Sequence, residues 1–362
     1  SLRSSKAHEA DYGSYSIVSP ISAMKFMLPY WDPYKADGTY ASPADGTWRG
    51  SYENPLEWNE ANPLTRKRVH VLSSTFLELE PMKDLRIKTL LGIDGGDLRS
   101  DTKSMPSYVG NYGIGTVGKS FSRSYNITWT NTATYTTGFS NSDDSETSVH
   151  QLTLLLGHEM TRNASDAFTV VARGQSSDKL MTLATGTAAT NWSDSRAAST
   201  YLSYFGRAEY SYRQSLYADL SIRRDASSKF GKDSRWATFW SAGMMCDLLN
   251  AIPQLKNEQG KSFLSMLQLS ASYGTSGNSS IPNYDHLSLY SAGPQYSGMP
   301  GVAPYSRGNE SLTWEKLNTL NVGLRVGLWN RLTMGVEFYN KRGSKERIFD
   351  DMNNGFGWNR LP

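Results

Sequence analysis

The stretch from Leu202 to Ile222 alternates residue by residue through two strands and a very short turn, and that period of two fixes β structure. One face carries Leu202, Tyr204, Gly206, Ala208, Tyr210 and Tyr212, then Leu216, Ala218, Leu220 and Ile222. The other carries Ser203, Arg207, Glu209 and Ser211, then Tyr217, Asp219, Ser221 and Arg223, charges that no soluble core would accept. A wall between lipid and water must be written this way, with one face free of charge and the other wet.

The pattern returns along most of the chain. Val69, Val71, Leu77 and Leu79 lead to a turn at 80–84, and Leu85, Ile87, Leu91 and Ile93 return from it. Phe121, Tyr125, Ile127, Trp129 and Ala133 alternate with hydroxyl and amide residues, and Leu152, Leu154 and Leu156 with Gln151, Thr153 and Gly157. Trp236, Trp240, Ala242 and Met244 form the next set, then Leu267, Leu269, Ala271 and Tyr273. The last two sets run Leu320, Val322, Leu324, Val326, Leu328 and Leu332, Met334, Val336, Phe338. This predicts about ten strands of the roughly ten-residue length that a tilted barrel strand needs.

Short connections near 80–84, 212–215 and 329–331 take turns with long ones over 94–118, 160–200 and 276–313, the second holding a short helix near 178–185. The connections at 135–147, with its acidic turn at 143–146, and at 247–261 are long for the short side. Residues 1–66 are rich in Pro, Gly, Tyr and Trp, lack sustained alternation, and read as a long loop with one short helix at 22–28. A Lys or Arg at the lipid midplane of a barrel costs about 2–4 kcal/mol, and none of the central apolar faces carries one. Arg123 comes nearest, toward a strand end. Trp236, Trp314, Trp329, Tyr210 and Tyr212 also gather near strand ends, where interfacial girdles belong. A soluble β-sandwich or propeller shares the same alternation, so pattern alone leaves both architectures open.

Composition narrows the choice only at its margins. A hydrophobic fraction of 38% and a mean hydropathy of −0.51 suit a soluble protein, yet a membrane barrel needs apolar residues only at every second strand position. No apolar run of about 18 residues exists to form a spanning helix. The net charge of +3 arises from 37 Lys+Arg against 34 Asp+Glu, with no basic block for nucleic acid. The single cysteine, Cys246, excludes an internal disulfide and a multi-cysteine metal site, and its place on an apolar face assigns it to packing.

Several motifs carry less than their letters suggest. Gly113 to Ser120 matches the spacing of a phosphate-binding loop, including Gly118 and Lys119, but an alternating Ser/Thr strand follows where a helix is required. His158 and Glu159 lack a second histidine at helical zinc spacing. Glu209, Asp219 and Glu337 could in principle pair for glycoside hydrolysis, but arginines at 207, 223 and 325 favour a solvated charge lattice. Glycosylation triplets begin at Asn126, Asn191 and Asn278, as chance allows in a Ser/Thr-rich chain.

The blocks Tyr204 to Tyr212 and Ser221 to Trp236 resemble the barrel signature of SusC/RagA-type TonB-dependent outer-membrane transporters of Bacteroidetes. Leu269 to Asn278 with Asn283 and Tyr284, Leu312 to Lys316, Asn321 to Leu324, and Phe338 to Lys341 are similar to successive blocks of that family. Upstream, Glu78 to Leu85 and Leu156 to Glu159 also resemble it. The likeness is dense over 67–93 and 152–345 and loose over 1–66.

The resemblance implies an all-β fold, an antiparallel transmembrane β-barrel of the 22-stranded kind with a plugged lumen, of which about ten strands lie here. Residues 1–66 would form a long extracellular loop region, 67–345 the barrel strands with long extracellular loops and short periplasmic turns, and 346–362 a truncated strand or loop. No plug domain, TonB box or closing strand is recognised, so the chain reads as an internal section whose edge strands expect neighbours. The implied function is non-enzymatic, TonB-dependent import of an oligosaccharide or oligopeptide across the outer membrane. A SusD-like surface lipoprotein would cap the loops, and TonB-ExbB-ExbD would act through a plug outside this chain. No cofactor, metal, catalytic residue or nucleic-acid partner is implied. Trp192, Tyr284, Tyr290 and Tyr296, in the expected loops 160–200 and 276–312, are the candidate substrate contacts because aromatic faces stack on sugar rings and peptide side chains; packing within the loops is their alternative role. A passive porin-like channel and a soluble β-rich glycan-binding protein or hydrolase are the rival readings.

Overall fold

Alternation becomes strand pairing almost wherever it occurs. A computed structural model describes residues 2–9, 25, 28, 30–48, 54–139, 149–252, 263–293 and 295–344. In chain order it has β1 (Leu2–Glu9), α1 (Pro55–Ala61), β2 (Leu64–Met82), β3 (Leu85–Ser104), β4 (Gly115–Phe139) and β5 (His150–Gln175). There follow β6 (Ala188–Tyr212), β7 (Leu216–Ser227), β8 (Trp236–Asp247), α2 (Leu248–Ala251) and β9 (Leu264–Asn278). Four short strands, β10 (Leu289–Ser291), β11 (Gln295–Tyr296), β12 (Met299–Pro300) and β13 (Ala303–Ser306), precede β14 (Glu315–Leu328) and β15 (Leu332–Ser344).

Eleven strands form one sheet in the order β1 to β9, then β14 and β15, so sequence neighbours are spatial neighbours. The registered pairs β1–β2, β6–β7, β7–β8, β8–β9, β9–β14 and β14–β15 are all antiparallel. Tight turns set that register. Asp84 joins β2 to β3 with φ of 70°, Arg213 and Gln214 join β6 to β7 at 49° and 51°, and Trp329 and Asn330 join β14 to β15 at 52° and 55°. Paired left-handed residues match the twist of the flanking strands, which is why two- and three-residue hairpins favour them.

Burial is inverted relative to a soluble domain. Leu77, Leu156, Leu220, Ile222, Met244, Leu324, Val336 and Phe338 are exposed, Leu156 by 69% and Val336 by 70%. These are the residues of the charge-free face, and lipid is the solvent that such a face requires. Among the described residues no helix is long and apolar enough to cross a membrane.

Several expected boundaries move. The loop expected at 94–118 shrinks to 105–114, because β3 continues to Ser104 and β4 begins at Gly115. The loop expected at 160–200 is mostly strand, with β5 reaching Gln175 and β6 starting at Ala188. Between them, two 3-10 turns at Asp178–Leu180 and Leu183–Thr185 replace the expected helix. These stretches hide from a periodicity search because their apolar residues, such as Leu98, Phe168 and Val171, keep no sustained alternation with polar ones, whereas the ladder is made by the backbone and needs no apolar face. For the same reason β1, which reads Leu-Arg-Ser-Ser-Lys-Ala-His-Glu, lies inside a region expected to be loop. Most of the expected helix at 22–28, the acidic turn at 143–146, most of the connection 247–261 and the tail at 346–362 lie outside the described residues.

The chain divides into two compact units, one of Ser1–Ser73, Ile93–Asn126 and Asn163–Ala198, the other of Ser74–Gly92, Ile127–Arg162 and Ser199–Pro362. In the first, Asn54 is fully buried and caps α1 by accepting from Leu56 N at 3.1 Å, with Pro55 at the first helical turn. Its Nδ2 donates to Pro33 O at 2.7 Å and Ala41 O at 2.9 Å, which ties the helix to the 30–48 segment. In the second unit, Phe230, Ala237, Phe239, Leu312 and Trp314 make a small buried core, packed by Tyr201 and Ile281.

Candidate functional site

Register aligns the wet face of the second unit into rows. Glu209 lies opposite Asp219, which lies opposite Gly243, then Ser272, Asn321 and Tyr339. The next row runs Ser211, Tyr217, Met245, Ser270, Gly323 and Glu337. The intervening row of opposite side-chain direction, Tyr210, Ala218, Met244, Ala271, Val322 and Phe338, carries no charge at all. One sheet therefore presents charges and hydroxyls on one side and hydrocarbon on the other.

Glycines on the wet side make room for larger neighbours. A Cβ on Gly243 would fall 2.5 Å from Asp219 Oδ1, and one on Gly157 would fall 2.2 Å from the Phe205 ring. A trough of about 230 Å³ lies along the rows, lined by Asp219, Gly243, Ser270, Ser272, Asn321 and Glu337. Closer to the far end of β7, Arg223 spans two carboxylates, at 2.7 Å from Asp225 Oδ1 and 3.1 Å from Glu159 Oε1. The same guanidinium donates to Ser203 Oγ at 2.9 Å and sits 5.3 Å from the Phe205 ring centroid. Glu209 is engaged by Arg207 at 2.7 Å. Glu159 thus shares Arg223 with Asp225, and Glu209 is paired with Arg207, as charges on a wet wall are expected to be.

The motifs set aside above find structural places. Lys119 lies in β4 and pairs with Asp101 at 3.3 Å, and a strand, not a helix, continues from the Gly113 to Ser120 match. His158 lies in β5 with its ring 5.8 Å from Trp129. Among the described residues no three His, Cys, Asp or Glu side chains gather as metal ligands.

The four candidate contact residues occupy different settings. Trp192 stands on β6, not on a loop, and is 69% exposed; it belongs to the first unit. Tyr284 and Tyr290 belong to the second unit, within the 279–314 connection. Tyr290 is well exposed, on β10 opposite Pro304, and Tyr284 holds a left-handed backbone with φ of 73°. Tyr296 pairs with Met299 between β11 and β12, and its side chain lies outside the described residues.

The 279–314 connection is sewn to the 228–235 connection at its base. Lys229 Nζ donates to Ile281 O at 2.8 Å, Trp314 Nε1 to Arg235 O at 2.8 Å, and Thr313 Oγ1 to Ser234 O at 3.3 Å. Burial there raises the Asp285 carboxyl above its ordinary range, against the pull of Lys229 and His286.

Sequence patterning did not indicate a second cavity, of about 260 Å³, in the first unit, where Trp58, Pro63, Leu64, Thr102, Lys103 and Thr116 are among its lining residues. It lies beside α1, and the pair Asn54-Pro55 was the readable signal for that helix.

Comparisons with known proteins agree with this geometry. The family model described as TonB dependent receptor-like, beta-barrel matches residues 19–360. The TonB-dependent receptor SusC of Bacteroides thetaiotaomicron is 35% identical over 151 residues, covering 39% of this chain and 14% of that protein. The TonB-dependent receptor P3 of Formosa agariphila is 26% identical over 345 residues, 93% of this chain and 32% of its own length. Among solved structures, the RagAB peptide importer in its closed-closed state superposes with a TM-score of 0.78 at 30% identity, over 94% of this chain and 38% of the matched chain. The chain spans well under half the length of each of these relatives. With the wall, its inverted burial and the family match over nearly its whole length, the chain belongs to the TonB-dependent receptor-like β-barrel family, and its sheet is a section of an outer-membrane barrel.

Proposed function

We propose that this barrel section serves TonB-dependent import of a large nutrient, an oligosaccharide or an oligopeptide, with a SusD-like surface lipoprotein over the loops at the extracellular end. The observation that carries the reading is the match to the RagAB peptide importer over 94% of the chain at 30% identity. The wet rows from Glu209 to Glu337 support it too, since a polar wall lets a hydrated oligomer pass without stripping it of water. Trp192, Tyr284, Tyr290 and Tyr296 are proposed to meet substrate or partner through their ring faces. In this reading the plug and TonB box belong to segments outside this chain.

The test is uptake of a labelled peptide pool and a labelled oligosaccharide pool by cells with and without the gene. One pool should enter only when the gene is present and should stop entering when a protonophore collapses the proton-motive force. Uptake that survives the protonophore would make the protein a passive channel and end this reading.

A further inference from the structure

Arg224 is the exception on a face that otherwise refuses charge. Over Leu202 to Tyr212, Leu216 to Ala226 and Trp236 to Cys246, it is the one charged residue on the lipid-facing side of β6, β7 and β8. Register places Tyr204 of β6 and Thr238 of β8 on either side of it. The rows toward the 212–215 turn are Gly206, Ile222 and Trp240, then Ala208, Leu220 and Ala242, with Ile222, Leu220 and Trp240 exposed.

The strand sets its depth. The short 212–215 turn marks the periplasmic end. From Leu216 to Arg224 the chain rises roughly 26 Å at about 3.3 Å per residue, or roughly 19 Å along the membrane normal at a tilt of about 45°. The apolar band of such a barrel is about 25 Å tall, so Arg224 lies in its upper part, where the penalty for a cation falls well below its midplane value.

Aromatic rings enclose the position. The Arg224 guanidinium stands over the Trp236 ring, 5.2 Å from its centroid, and the Tyr204 ring stacks on the same indole at 6.3 Å. His158 lies 5.2 Å from Tyr204, and Trp129 lies 5.8 Å from His158 with its own Nε1 donating to Thr89 Oγ1 at 3.0 Å. All of these residues belong to the second unit. The adjacent Arg223, on the wet side, is satisfied by Asp225, Glu159 and Ser203. Among the described residues Arg224 has no carboxylate partner, and the hydroxyls of Tyr204 and Thr238 and the Trp236 indole N–H donate to no protein group.

A cation and neighbouring donors without an acceptor call for an anion, and the rows below them call for hydrocarbon. A free anion would satisfy the first and leave the second bare, whereas a phosphorylated lipid carries both. Guanidinium and phosphate match as a two-pronged, charge-assisted pair. We propose that Arg224, with Tyr204, Thr238 and Trp236 around it, binds the phosphate of an outer-leaflet membrane lipid whose acyl chains lie along Ile222, Leu220 and Trp240. The site belongs to the outside of the wall and is independent of what the barrel imports.

The test titrates the full-length transporter in detergent with dioleoyl phosphatidic acid and with dioleoylglycerol, which lacks only the phosphate, and counts bound lipids by native mass spectrometry. The unaltered protein should hold its tightest phosphatidic acid about tenfold more strongly than dioleoylglycerol, as one charge-assisted contact provides. Arg224→Gln should remove that one phosphatidic acid from the bound count and leave dioleoylglycerol unchanged, with heat-modifiable gel migration showing the variant folded. Arg224→Lys, which keeps the charge and loses the fork, should retain the lipid more weakly. Equal binding of the two lipids to the unaltered protein would leave Arg224 merely hydrated at the surface and overturns the site. So does a phosphatidic acid count that survives Arg224→Gln. Inorganic phosphate displacing the lipid would reveal a free-anion site and overturns the lipid as its ligand.

Discussion

The strands β2 to β6 run 19 to 26 residues, whereas β7, β8, β9, β14 and β15 run only 12 to 15. A tilted strand crosses the hydrocarbon in about 9–11 residues, so the long set continues by about its own crossing length again and the short set barely exceeds it. The two regions build their remaining structure by different means. In the long set the surplus is ladder, decorated by exposed ion pairs such as Arg123–Asp97 at 2.7 Å and Arg196–Asp166 at 3.6 Å. In the short set it is connection, and the 228–235 and 279–314 segments fold onto Phe230, Phe239, Leu312 and Trp314. A ladder tolerates nearly any side chain, but a core of five residues depends on each of them.

The comparison can be broken most directly at Trp314. Its ring lies 5.2 Å from Phe230 and 5.6 Å from Phe239, and its indole satisfies Arg235 O. Trp314→Ala should destabilise that core by about 3–5 kcal/mol and raise hydrogen exchange in 228–235 and 279–314, with β7 to β9 left protected. Unchanged exchange would show that those connections stand without their core.

Within the wall, Leu220→Arg should lower stability by about 2–4 kcal/mol if the residue lies near mid-membrane, read as a loss of heat-modifiable folded protein in lipid. Ser221→Arg, one residue on and facing the wet side, should fold normally. Similar losses for both would mean that the two faces are not lipid and water.

In the 30–48 segment, Tyr40 donates to Glu60, and that bond, with some burial, pushes its phenol up to about 12 from 10.0. Because the folded value is the higher one, the contribution is complete below pH 10.0 and disappears as pH rises toward about 12. Absorbance titration should show one late-ionising tyrosine that returns toward the ordinary value in Glu60→Gln; an unchanged titration would remove this staple from the account. The smallest effect is expected at Asp97→Asn. The ladder around Arg123 should hold, with no measurable change in unfolding midpoint, and a large drop would show that ion pairs, not the ladder, keep the long strands together.

How much could be read beforehand follows the same division. Wherever a strand meets lipid, every second residue must be apolar and uncharged, so Leu202 to Ile222 and Leu320 to Phe338 announced both strand and face. Wherever a strand leaves lipid, that constraint lapses. The continuations of β3, β5 and β6 are therefore silent in the sequence, and Trp192, which reads as a loop residue, stands on a strand.

The chain's own letters settle the period of two, the charge-free face and the tight turns, because each depends on residues adjacent in sequence. Folding alone decides what meets across distance. The ion pair from Arg223 to Glu159 and the row from Glu209 to Tyr339 exist because backbone hydrogen bonds choose a register. The cavity that joins Trp58 of α1 to Thr102 of β3 and Thr116 of β4 exists because a capped helix is tied to a strand end. Both are non-local contacts, and no window of sequence contains them.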